Sequence, residues 1–443
     1  MRLTASEIAG ATGGALSGPD VTVEGACIDS RLVQGGELFV ALHGVRDGHA
    51  FVDAALDAGA AACLVDSGGR DSGGGGRPGR GTCIVVGDTF AGLTALATAA
   101  RARLPDRVIG ITGSVGKTST KDLLAAALAQ RWRVSASPKN FNNELGVPLT
   151  ILGAPDDAEA VVVEMGARGR GHIAQLCRVA RPTVGIVTTV GLSHSEFFGT
   201  VEDVARAKVE LVEALPADGT AVLNAEVPLV AAMASRSAAR VVTFGLDTGD
   251  VRAEALSLDE DLHPRFRLRS PWGSTPVTLG VSGRHQVANA LAAAAAALAC
   301  GATAEQVASG LAQARLSPWR MQLDRSPSGA VVINDAYNAN PPSTTAALRA
   351  LAQVPAERRT AVLGIMAELG DVGPAEHARI GALAAELGIR VIAVAAPDYG
   401  GEQVGSVEEA LDRLGPIGRG DAVLVKGSRA ARLETVAGTL AAS

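Results

Sequence analysis

The sequence has few aromatic residues, few cysteines, no long apolar run and no basic run. Aromatic residues make up only 3% of the 443 residues, so the 47% hydrophobic share depends on alanine and aliphatic side chains. A formal net charge of −6 gives no general attraction to nucleic acid. We therefore expect no nucleic-acid partner, and we expect anionic ligands to bind at local sites.

Signals for a membrane span and for disulfides are also missing. The longest alanine-rich stretch, Ala290–Cys300, is too short to cross a bilayer, and the first residues lack the apolar core of a signal peptide. The five cysteines are scattered and include no CxxC pair. Free thiols in a reducing compartment are the usual state of such cysteines. We expect a cytoplasmic protein with no integral membrane segment.

The length of the chain and its proline-containing breaks predict three α/β domains. At about 150 residues per domain, this length corresponds to roughly three domains. Proline-containing breaks at Leu104–Asp106 and Leu316–Pro318 predict a small α/β domain at 1–105, a central domain at 106–316 and a C-terminal domain at 317–443. A glycine-rich stretch, Ser67–Gly76, is predicted to be a surface loop of the first domain, because it contains no lysine and no helix start.

Short β-branched runs alternate with alanine-rich stretches after residue 107, a pattern typical of a mostly parallel sheet with crossover helices. This pattern predicts a central phosphate-loop domain followed by a Rossmann-like domain. The predicted helices are Thr94–Arg103, Val201–Leu215 and Ala288–Cys300. The predicted strands are Val108–Thr112, Val161–Glu164, Thr183–Val190, Thr220–Asn224, Val331–Asp335, Thr360–Gly364, Val391–Val394 and Ala422–Lys426.

The segment between the first of these strands and the next helix contains a phosphate loop. Glycines let successive N–H groups point inward, a helix N-terminus favours negative charge, a lysine reaches the outer phosphates and a threonine can bind magnesium. A chance glycine-rich turn is the alternative, and the usual GxxxxGK[ST] spacing is not met because Ile111 occupies the first glycine position. No guanine-recognition motif occurs, so adenine is favoured. The predicted nucleotide-binding residues are Gly113, Ser114, Val115, Gly116, Lys117, Thr118 and Ser119.

Magnesium in a nucleotide site needs oxygen ligands beyond the loop threonine. Glu164 ends a strand, and His194 and Glu196 follow the next one, so these side chains are expected at the same edge of the sheet. Alone, either a strand-end glutamate or a loop histidine is more often structural. Lys208, on a predicted helix, is by itself most simply a solvated lysine.

Taken together, these residues resemble the Mur ligases over nearly the whole chain. In the first domain, Asp29–Arg31, Gly36–Leu42 and Asp47–Phe51 resemble the part of the substrate site that holds the uridine nucleotide. The segment 140–150 is similar to the family's substrate-facing loop, although crowded amides could equally form a turn network. For substrate binding, the resemblance therefore implies Ser30, Arg31, Asp47, His49, Asn142 and Asn143.

The resemblance also assigns roles around the phosphate loop. It implies Mg²⁺ held by Thr118, Glu164, His194 and a carbamylated Lys208, with Lys117, Lys208, His194 and Arg320 as catalytic residues. Asn289, Arg320 and Asp335 are implied as further ATP contacts. The sequence departs from the family at Gln286, Ile365 and Ser195, which leaves their local contacts open.

Two stretches of the last domain, Asn334–Pro341 and Lys426–Arg429, resemble the dipeptide-adding branch of the family. That branch implies a UDP-N-acetylmuramoyl-tripeptide acceptor, D-alanyl-D-alanine as the amine, an acyl-phosphate intermediate and a monomeric enzyme of peptidoglycan synthesis. The dipeptide contacts would be Tyr337, Asn338, Asn340, Lys426 and Ser428. A folylpolyglutamate synthase and a nucleotide-binding scaffold without turnover are the alternatives.

Overall fold

The computed structural model describes residues 1–66, 81–138, 141–191 and 198–442. The predicted loop Ser67–Gly76, Asn140, His194, Ser195 and Glu196 lie outside the described residues. The chain divides into two compact units. The first comprises Met1–Gly110, Trp132–Gly166 and Gly171–Val184, and the second comprises Ile111–Arg131, Ala167–Arg170 and Gly185–Ser443.

The first unit contains a five-stranded sheet in which three neighbouring strand pairs run parallel and one edge strand is antiparallel. In spatial order its strands are Ala15–Ser17, Thr82–Val86, Ala62–Asp66, Leu38–Val40 and Ala26–Cys27. A separate antiparallel pair joins Arg2–Thr4 to Thr22–Glu24. The helices are Ala5–Thr12, Val52–Asp57, Thr89–Ala100, Gly146–Gly153 and His172–Ala180, with 3-10 turns at Ser30–Leu32, Gly48–Phe51 and Arg101–Arg103.

The first unit also contains strands of a second sheet, which are parallel where they pair. Val134–Ala136 pairs in parallel with Ala160–Glu164. The strand Val108–Thr112 has neighbours on both sides, because Arg107 accepts from the Val161 N–H at 2.9 Å and Val108 accepts from the Thr183 N–H at 2.9 Å. Every residue of Val108–Thr112 is buried, which explains its continuous apolar character.

The second unit begins with the phosphate-loop helix Lys117–Leu128 and contains the parallel pair Thr220–Asn224 and Arg240–Phe244. A three-stranded antiparallel sheet follows, formed by Arg252–Leu258, Pro264–Ser270 and Gly273–Thr278. The other strand of this part is Val184–Val187, which begins in the first unit. The helices are Val201–Glu213, Pro228–Ala231, Gln286–Ala299 and Ala304–Gln313, with a 3-10 turn at Ala232–Arg236.

Small side chains let two helices approach the phosphate-loop helix closely. Helix Gln286–Ala299 contacts it and buries an unbroken alanine run from Ala292 to Ala297. At Gly310, a Cβ atom would lie 2.4 Å from the carbonyl oxygen of Ala126. The alanine and glycine content of these helices therefore fixes the position of the phosphate-loop helix by close packing.

The last part of the chain is a doubly wound sheet with helices on both faces. Its strand order is Gln322–Arg325, Val331–Asp335, Asp421–Lys426, Arg358–Gly364, Arg390–Val394 and Glu402–Val404, parallel except for the first pair. Helices Pro341–Gln353 and Gly373–Glu386 supply one apolar core, and Val407–Leu414 and Glu434–Ala442 supply the other. The 3-10 turns are Gly370–Val372, Pro397–Tyr399 and Arg429–Ala431. Within the described ranges, no helix is long and apolar enough to span a bilayer.

The predicted strands are confirmed, with small changes at their ends. Three have the predicted bounds, whereas the predicted strand Thr183–Val190 is wrong at its ends and covers only Val184–Val187. The predicted helix start at Thr94 is also wrong. The helix begins at Thr89, because the Asp88 side chain caps it by accepting from the Ala91 N–H at 2.7 Å.

Candidate active site

The phosphate loop lies between the strand Val108–Thr112 and the helix Lys117–Leu128. The helix begins after Gly116, which has a φ of +90°. No side chain caps the helix at its N-terminus. A Cβ at Gly116 would lie 2.3 Å from Asn289 Oδ1, and one at Gly113 would lie 1.9 Å from Thr188 Oγ1. Both glycines are therefore required by close packing as well as by backbone conformation. An uncapped helix N-terminus of this kind favours a bound anion.

Two threonines stabilise the conformation of the loop. They were not predicted from the sequence. Thr189 accepts from the Ser114 N–H through its carbonyl at 2.9 Å and from the Val115 N–H through its Oγ1 at 3.0 Å. Thr188 Oγ1 donates to the Val115 carbonyl at 2.6 Å. The available signal was their place at the end of a predicted parallel strand, next to the loop.

The loop cation folds back along the loop in this structure. Lys117 is half-buried, and its Nζ donates to the Gly113 carbonyl at 2.7 Å. Thr118 and Ser119 are buried in the first helical turn. The predicted nucleotide-binding residues of the loop are thus adjacent and correctly ordered around the helix start.

Arg320 lies beside this loop although it is distant in sequence. Its Nη2 donates to Thr118 Oγ1 at 3.0 Å, and its Cζ lies 4.0 Å from the centroid of the Tyr337 ring. Its Nε is buried and has no hydrogen-bond partner among the described residues. A buried guanidinium donor that faces a phosphate loop is suited to an anionic ligand.

The backbone that carries Arg320 is strained on both sides. Trp319 and Met321 adopt φ values of +62° and +50°, a region that non-glycine residues rarely enter. The Trp319 ring is stacked on Arg429, with 4.3 Å from Cζ to the ring centroid. These contacts fix the direction in which Arg320 points, and no local sequence pattern predicts them.

Lys208 is buried, with 3% of its surface exposed, on helix Val201–Glu213. Burial lowers the pKa of its ammonium group well below the usual value, and the charge of Lys117 lowers it further. The prediction that Lys208 is solvated, which came from its helix position alone, is therefore wrong. A lowered pKa favours the unprotonated form of this amine, which is the form that reacts with carbon dioxide in carbamylation.

Glu164 is a buried carboxylate at the end of the strand Ala160–Glu164, in the first unit. Its Oε1 accepts from Asn142 Nδ2 at 2.8 Å, while the Asn142 carbonyl accepts from the Gly166 N–H at 2.6 Å. Asn143 Oδ1 accepts from the Gly146 N–H at 2.9 Å. The two asparagines thus organise the turn around Glu164, as the alternative of a turn network suggested.

The last domain contains a buried ion pair within the dipeptide motif. Lys426 Nζ donates to Asp335 Oδ2 at 2.5 Å and to the Asn338 carbonyl at 2.9 Å, and only 2% of Lys426 is exposed. Asp335 Oδ1 also accepts from the Met321 N–H at 3.0 Å. The pair therefore connects the predicted dipeptide motif to the segment that carries Arg320.

The remaining motif residues differ in what their side chains contact. Asn340 Oδ1 accepts from the Ser343 N–H at 3.0 Å and caps helix Pro341–Gln353. Ser428 is buried, and its Oγ accepts from the Ala367 N–H at 2.9 Å. Asn338 has an exposed side chain, and Tyr337 is partly exposed. The structure brings these residues together, with Asn338 the most accessible of them.

Asn289 belongs to a chain of polar side chains beside the phosphate loop. Its Nδ2 donates to Gln286 Oε1 at 2.8 Å, and its Oδ1 accepts from Thr120 Oγ1 at 3.4 Å. Gln286 Nε2 lies 3.2 Å from His285 Nε2. His285 was not among the predicted site residues, although Asn289, four residues further on, was predicted as an ATP contact.

Burial lowers the pKa of His285 to about 4, despite an opposing effect of Asp335. Between pH 6.5 and pH 4 the unfolded chain binds a proton that the folded chain excludes, so we expect the free energy of unfolding to fall as pH decreases through this window. The loss reaches at most about 3 kcal/mol, because one pKa unit corresponds to about 1.4 kcal/mol. Urea unfolding of the native protein and His285→Gln at pH 7.5 and 5 tests this. The same pH dependence in both proteins would contradict it.

The predicted uridine-end residues lie in the first unit. Asp29 Oδ2 accepts from Arg31 Nη2 at 2.6 Å, and this interaction lowers the pKa of Asp29 to about 2. Ser30 and Arg31 form part of the turn that Asp29 caps. His49 is only 1% exposed, and its Nδ1 lies 2.7 Å from Asp47 Oδ1. The Arg31 side chain is exposed. The buried His49 side chain instead stabilises the loop that contains Asp47.

Comparisons with known proteins agree with this architecture. A family model described as the Mur ligase middle domain matches residues 111–297, and one described as the Mur ligase glutamate ligase domain matches residues 319–429. The fold and the phosphate loop therefore define a Mur ligase. The UDP-N-acetylmuramoyl-tripeptide–D-alanyl-D-alanine ligase of Mycobacterium tuberculosis (strain ATCC 25618 / H37Rv) is 42% identical, over 100% of this chain and 98% of the relative. The chain belongs to the family of UDP-N-acetylmuramoyl-tripeptide–D-alanyl-D-alanine ligases.

Solved structures give the same result. MurF from Acinetobacter baumannii has a TM-score of 0.88 and 30% identity, covering 100% of this chain and 99% of that protein. MurF ligase from Thermotoga maritima, solved in complex with ADP, has a TM-score of 0.81 and 28% identity, covering 95% and 97%. The predicted α/β Mur ligase fold is therefore confirmed.

Proposed function

We propose that this chain catalyses the ATP-dependent ligation of D-alanyl-D-alanine to UDP-N-acetylmuramoyl-tripeptide, giving the UDP-muramoyl-pentapeptide precursor of peptidoglycan. The observation that carries this proposal is 42% identity along the entire chain to a ligase of that name. Such a match favours the dipeptide-adding ligases over the folylpolyglutamate synthase alternative. An ADP complex of a similar ligase supports ATP as the nucleotide.

The reaction joins a carboxylate to an amine at the expense of ATP. The terminal carboxylate of the tripeptide attacks the γ-phosphorus of ATP, and the bond from that phosphorus to the bridging oxygen of ADP breaks, which gives the acyl phosphate and free ADP. The amino group of D-alanyl-D-alanine then attacks the acyl carbon, and the tetrahedral intermediate collapses to the amide and inorganic phosphate. Both steps demand neutralisation of phosphate charge and protection of the anhydride from water.

Lys117 and Arg320 are the cations proposed to neutralise the phosphate charge. The Lys117 Nζ lies along the loop, where it donates to the Gly113 carbonyl, and in the proposed reaction it would donate to a phosphate oxygen. Arg320 offers its buried Nε and its Nη2, and stacking on Tyr337 restricts its orientation. Cations held in place before the reaction stabilise developing charge without reorganisation.

The donor groups available for Mg²⁺ are of the appropriate type. Thr118 supplies a buried hydroxyl oxygen, Glu164 supplies a buried carboxylate, and both are the hard oxygen ligands that Mg²⁺ prefers. Thr112 Oγ1, at the end of the strand that precedes the loop, is buried without a hydrogen-bond partner among the described residues. Bound Mg²⁺ would neutralise charge on the β- and γ-phosphates. Arg320 would then share the Thr118 hydroxyl or move from it towards phosphate.

We propose that each of three domains binds a different substrate. Residues 1–105 bind the UDP precursor, residues 106–316 bind ATP, and residues 317–443 bind the dipeptide. The matched ranges of the two family models fall within the second and third of these domains. We also propose that the enzyme is cytoplasmic, since both the UDP precursor and ATP are cytoplasmic metabolites. A monomer is the oligomeric state that we expect.

Phosphate release is the direct test of this function. We expect release from ATP to require the muramoyl tripeptide and to continue over many turnovers only when D-alanyl-D-alanine is present. Mass spectrometry should then show the pentapeptide product. Nucleotide binding without turnover would favour a scaffold instead, and glutamate addition to a pterin-linked acceptor would favour the folate enzymes.

The dipeptide site can be tested at Asn338. Because its side chain is exposed at the proposed site, Asn338→Ala should raise the KM for D-alanyl-D-alanine about tenfold and leave the KM for ATP unchanged. Asn340→Ala tests the second predicted contact: loss of its helix cap should lower the free energy of unfolding by about 1 kcal/mol, and a raised KM for D-alanyl-D-alanine in addition would indicate direct contact with the dipeptide. Equal effects of Asn338→Ala on all three substrates would argue against the assignment.

A further inference from the structure

The ammonium group of the buried Lys426 is fully engaged by the protein's own oxygen atoms. Its Nζ lies 2.5 Å from Asp335 Oδ2, 2.9 Å from the Asn338 carbonyl oxygen and 3.5 Å from the Asp335 carbonyl oxygen. Each N–H donor of the ammonium group therefore has a protein acceptor, and none remains for a bound dipeptide. We propose that Lys426 is a positioning residue, which holds the turn 335–338 so that Arg320 faces the phosphate loop.

This turn contacts the chain on both sides of Arg320. Asp335 Oδ1 accepts from the Met321 N–H at 3.0 Å, and the Tyr337 N–H donates to the Trp319 carbonyl at 3.1 Å. The Tyr337 ring also stacks on the guanidinium group, with 4.0 Å from Cζ to the ring centroid. Arg320 is thus held through the residue before it, the residue after it and its own side chain.

Lys426 connects the two ends of the turn, because it donates to the Asp335 carboxylate at one end and to the Asn338 carbonyl at the other. Without this cation, the carboxylate loses its ion-pair partner and can turn away from the Met321 N–H. Met321 has a φ of +50°, a conformation that non-glycine residues keep only where surrounding contacts enforce it. We therefore expect this segment to relax and Arg320 to lose its orientation.

A misplaced cation should affect the chemical step more than the binding of the amine. This role rests on the proposed function, in which Arg320, whose Nη2 lies 3.0 Å from Thr118 Oγ1, contacts phosphate. Displacement of a positioned group by about 1 Å can lower a rate on the order of a hundredfold. Lys426→Met should lower kcat roughly tenfold to a hundredfold and keep the KM for D-alanyl-D-alanine within about twofold of the native value.

A double-mutant cycle in the full-length enzyme tests whether Lys426 acts through Arg320. Steady-state ligation is measured for the native enzyme, Lys426→Met, Arg320→Gln and the double variant, with circular dichroism to verify folding. Adding Lys426→Met to Arg320→Gln should change kcat by less than about twofold, because there is no longer a guanidinium group to orient. Reductions that multiply, or a raised KM for D-alanyl-D-alanine with an unchanged kcat, would overturn the proposal.

Two further variants separate positioning from a general loss of stability. Lys426→Gln keeps N–H donors for the Asp335 carboxylate, so it should fold even where Lys426→Met does not, and the same cycle applies to it. Arg358→Met is the matched control, because Arg358 pairs with Asp421 at the opposite end of the same strand, with 2.7 Å from Nε to Oδ1. This control should lower the Tm and leave kcat within about twofold. An equal fall in kcat in the control would contradict a specific role of Lys426.

The native enzyme distinguishes failure of this proposal from failure of the proposed function. If the native enzyme forms no pentapeptide, the proposed function is refuted. If it ligates normally but the reductions in the cycle multiply, only the role of Lys426 is refuted. Calorimetric titration with ATP gives the cycle a second readout that needs no ligation. Losses of ATP affinity from Lys426→Met and Arg320→Gln should again be non-additive, and additive losses would count against the proposal.

Discussion

Lys117→Ala is expected to lower the ligation rate about a thousandfold while the protein stays folded. The side chain is half-buried, and its hydrogen bond to the Gly113 carbonyl can be replaced by water. In turnover, however, the missing cation leaves the charge of the transferring phosphoryl group uncompensated. Loss of one such donor typically costs about 3–4 kcal/mol in the transition state, which corresponds to two to three orders of magnitude in rate.

Steady-state phosphate release, with circular dichroism to verify folding, checks this expectation. Lys117→Arg is an informative companion, since it keeps the charge but alters the reach of the side chain. Its rate should lie between those of the native enzyme and the alanine variant. A folded Lys117→Ala enzyme with near-normal ligation would refute the assignment of this loop to the phosphates.

Lys208→Ala is expected to lose most activity, because we propose that Lys208 is carbamylated in the active enzyme. Its amine attacks carbon dioxide and releases one proton, and the resulting carbamate replaces a potential cation by an anion. Burial and the nearby charge of Lys117 lower the pKa of the amine well below its usual value, which favours the unprotonated form that this reaction requires. A carbamate would also supply an oxygen ligand suited to a hard cation.

Two comparisons distinguish a carbamate from a structural lysine. A short carboxylic acid in the buffer should partly restore Lys208→Ala by supplying the missing anion. Lys208→Arg should remain inactive, since arginine keeps its positive charge and does not form the same group. Carbon-13 NMR of the native enzyme under labelled carbon dioxide should show one carbamate signal that disappears in Lys208→Arg. A fully active arginine variant would eliminate the carbamate role.

Regular elements could largely be predicted from the sequence because their signals are local. The strands Val108–Thr112, Thr220–Asn224 and Val331–Asp335 have the predicted bounds, since each is a short β-branched run between turn signals. The antiparallel sheet at residues 252–278 was missed, although Phe266 and Leu268 alternate with exposed arginines on Pro264–Ser270. That alternation is the expected pattern of a strand with one buried face.

The polar motifs were located correctly, but the partners of their side chains were not predictable. Asn340 caps a helix, and Lys426 forms a buried pair with Asp335, although both were predicted to contact the dipeptide. Their direct roles therefore stay predictions. An asparagine in a motif does not reveal whether its amide faces a ligand or the protein's own backbone, because that depends on the neighbouring chain.

By itself, the sequence determined the class of fold, the eight strands predicted after residue 107 and the position of the phosphate loop, because hydrophobic period, glycine placement and the Gly116–Lys117–Thr118 succession act over a few residues. Only the tertiary structure decided that Arg320 donates a hydrogen bond to Thr118 and that His43 is hydrogen-bonded to Asp66. It also decided that Lys208 is buried, which lowers the pKa of its ammonium group. Such contacts join residues far apart in the chain. Their energies depend on burial and distance, which the folded chain alone defines.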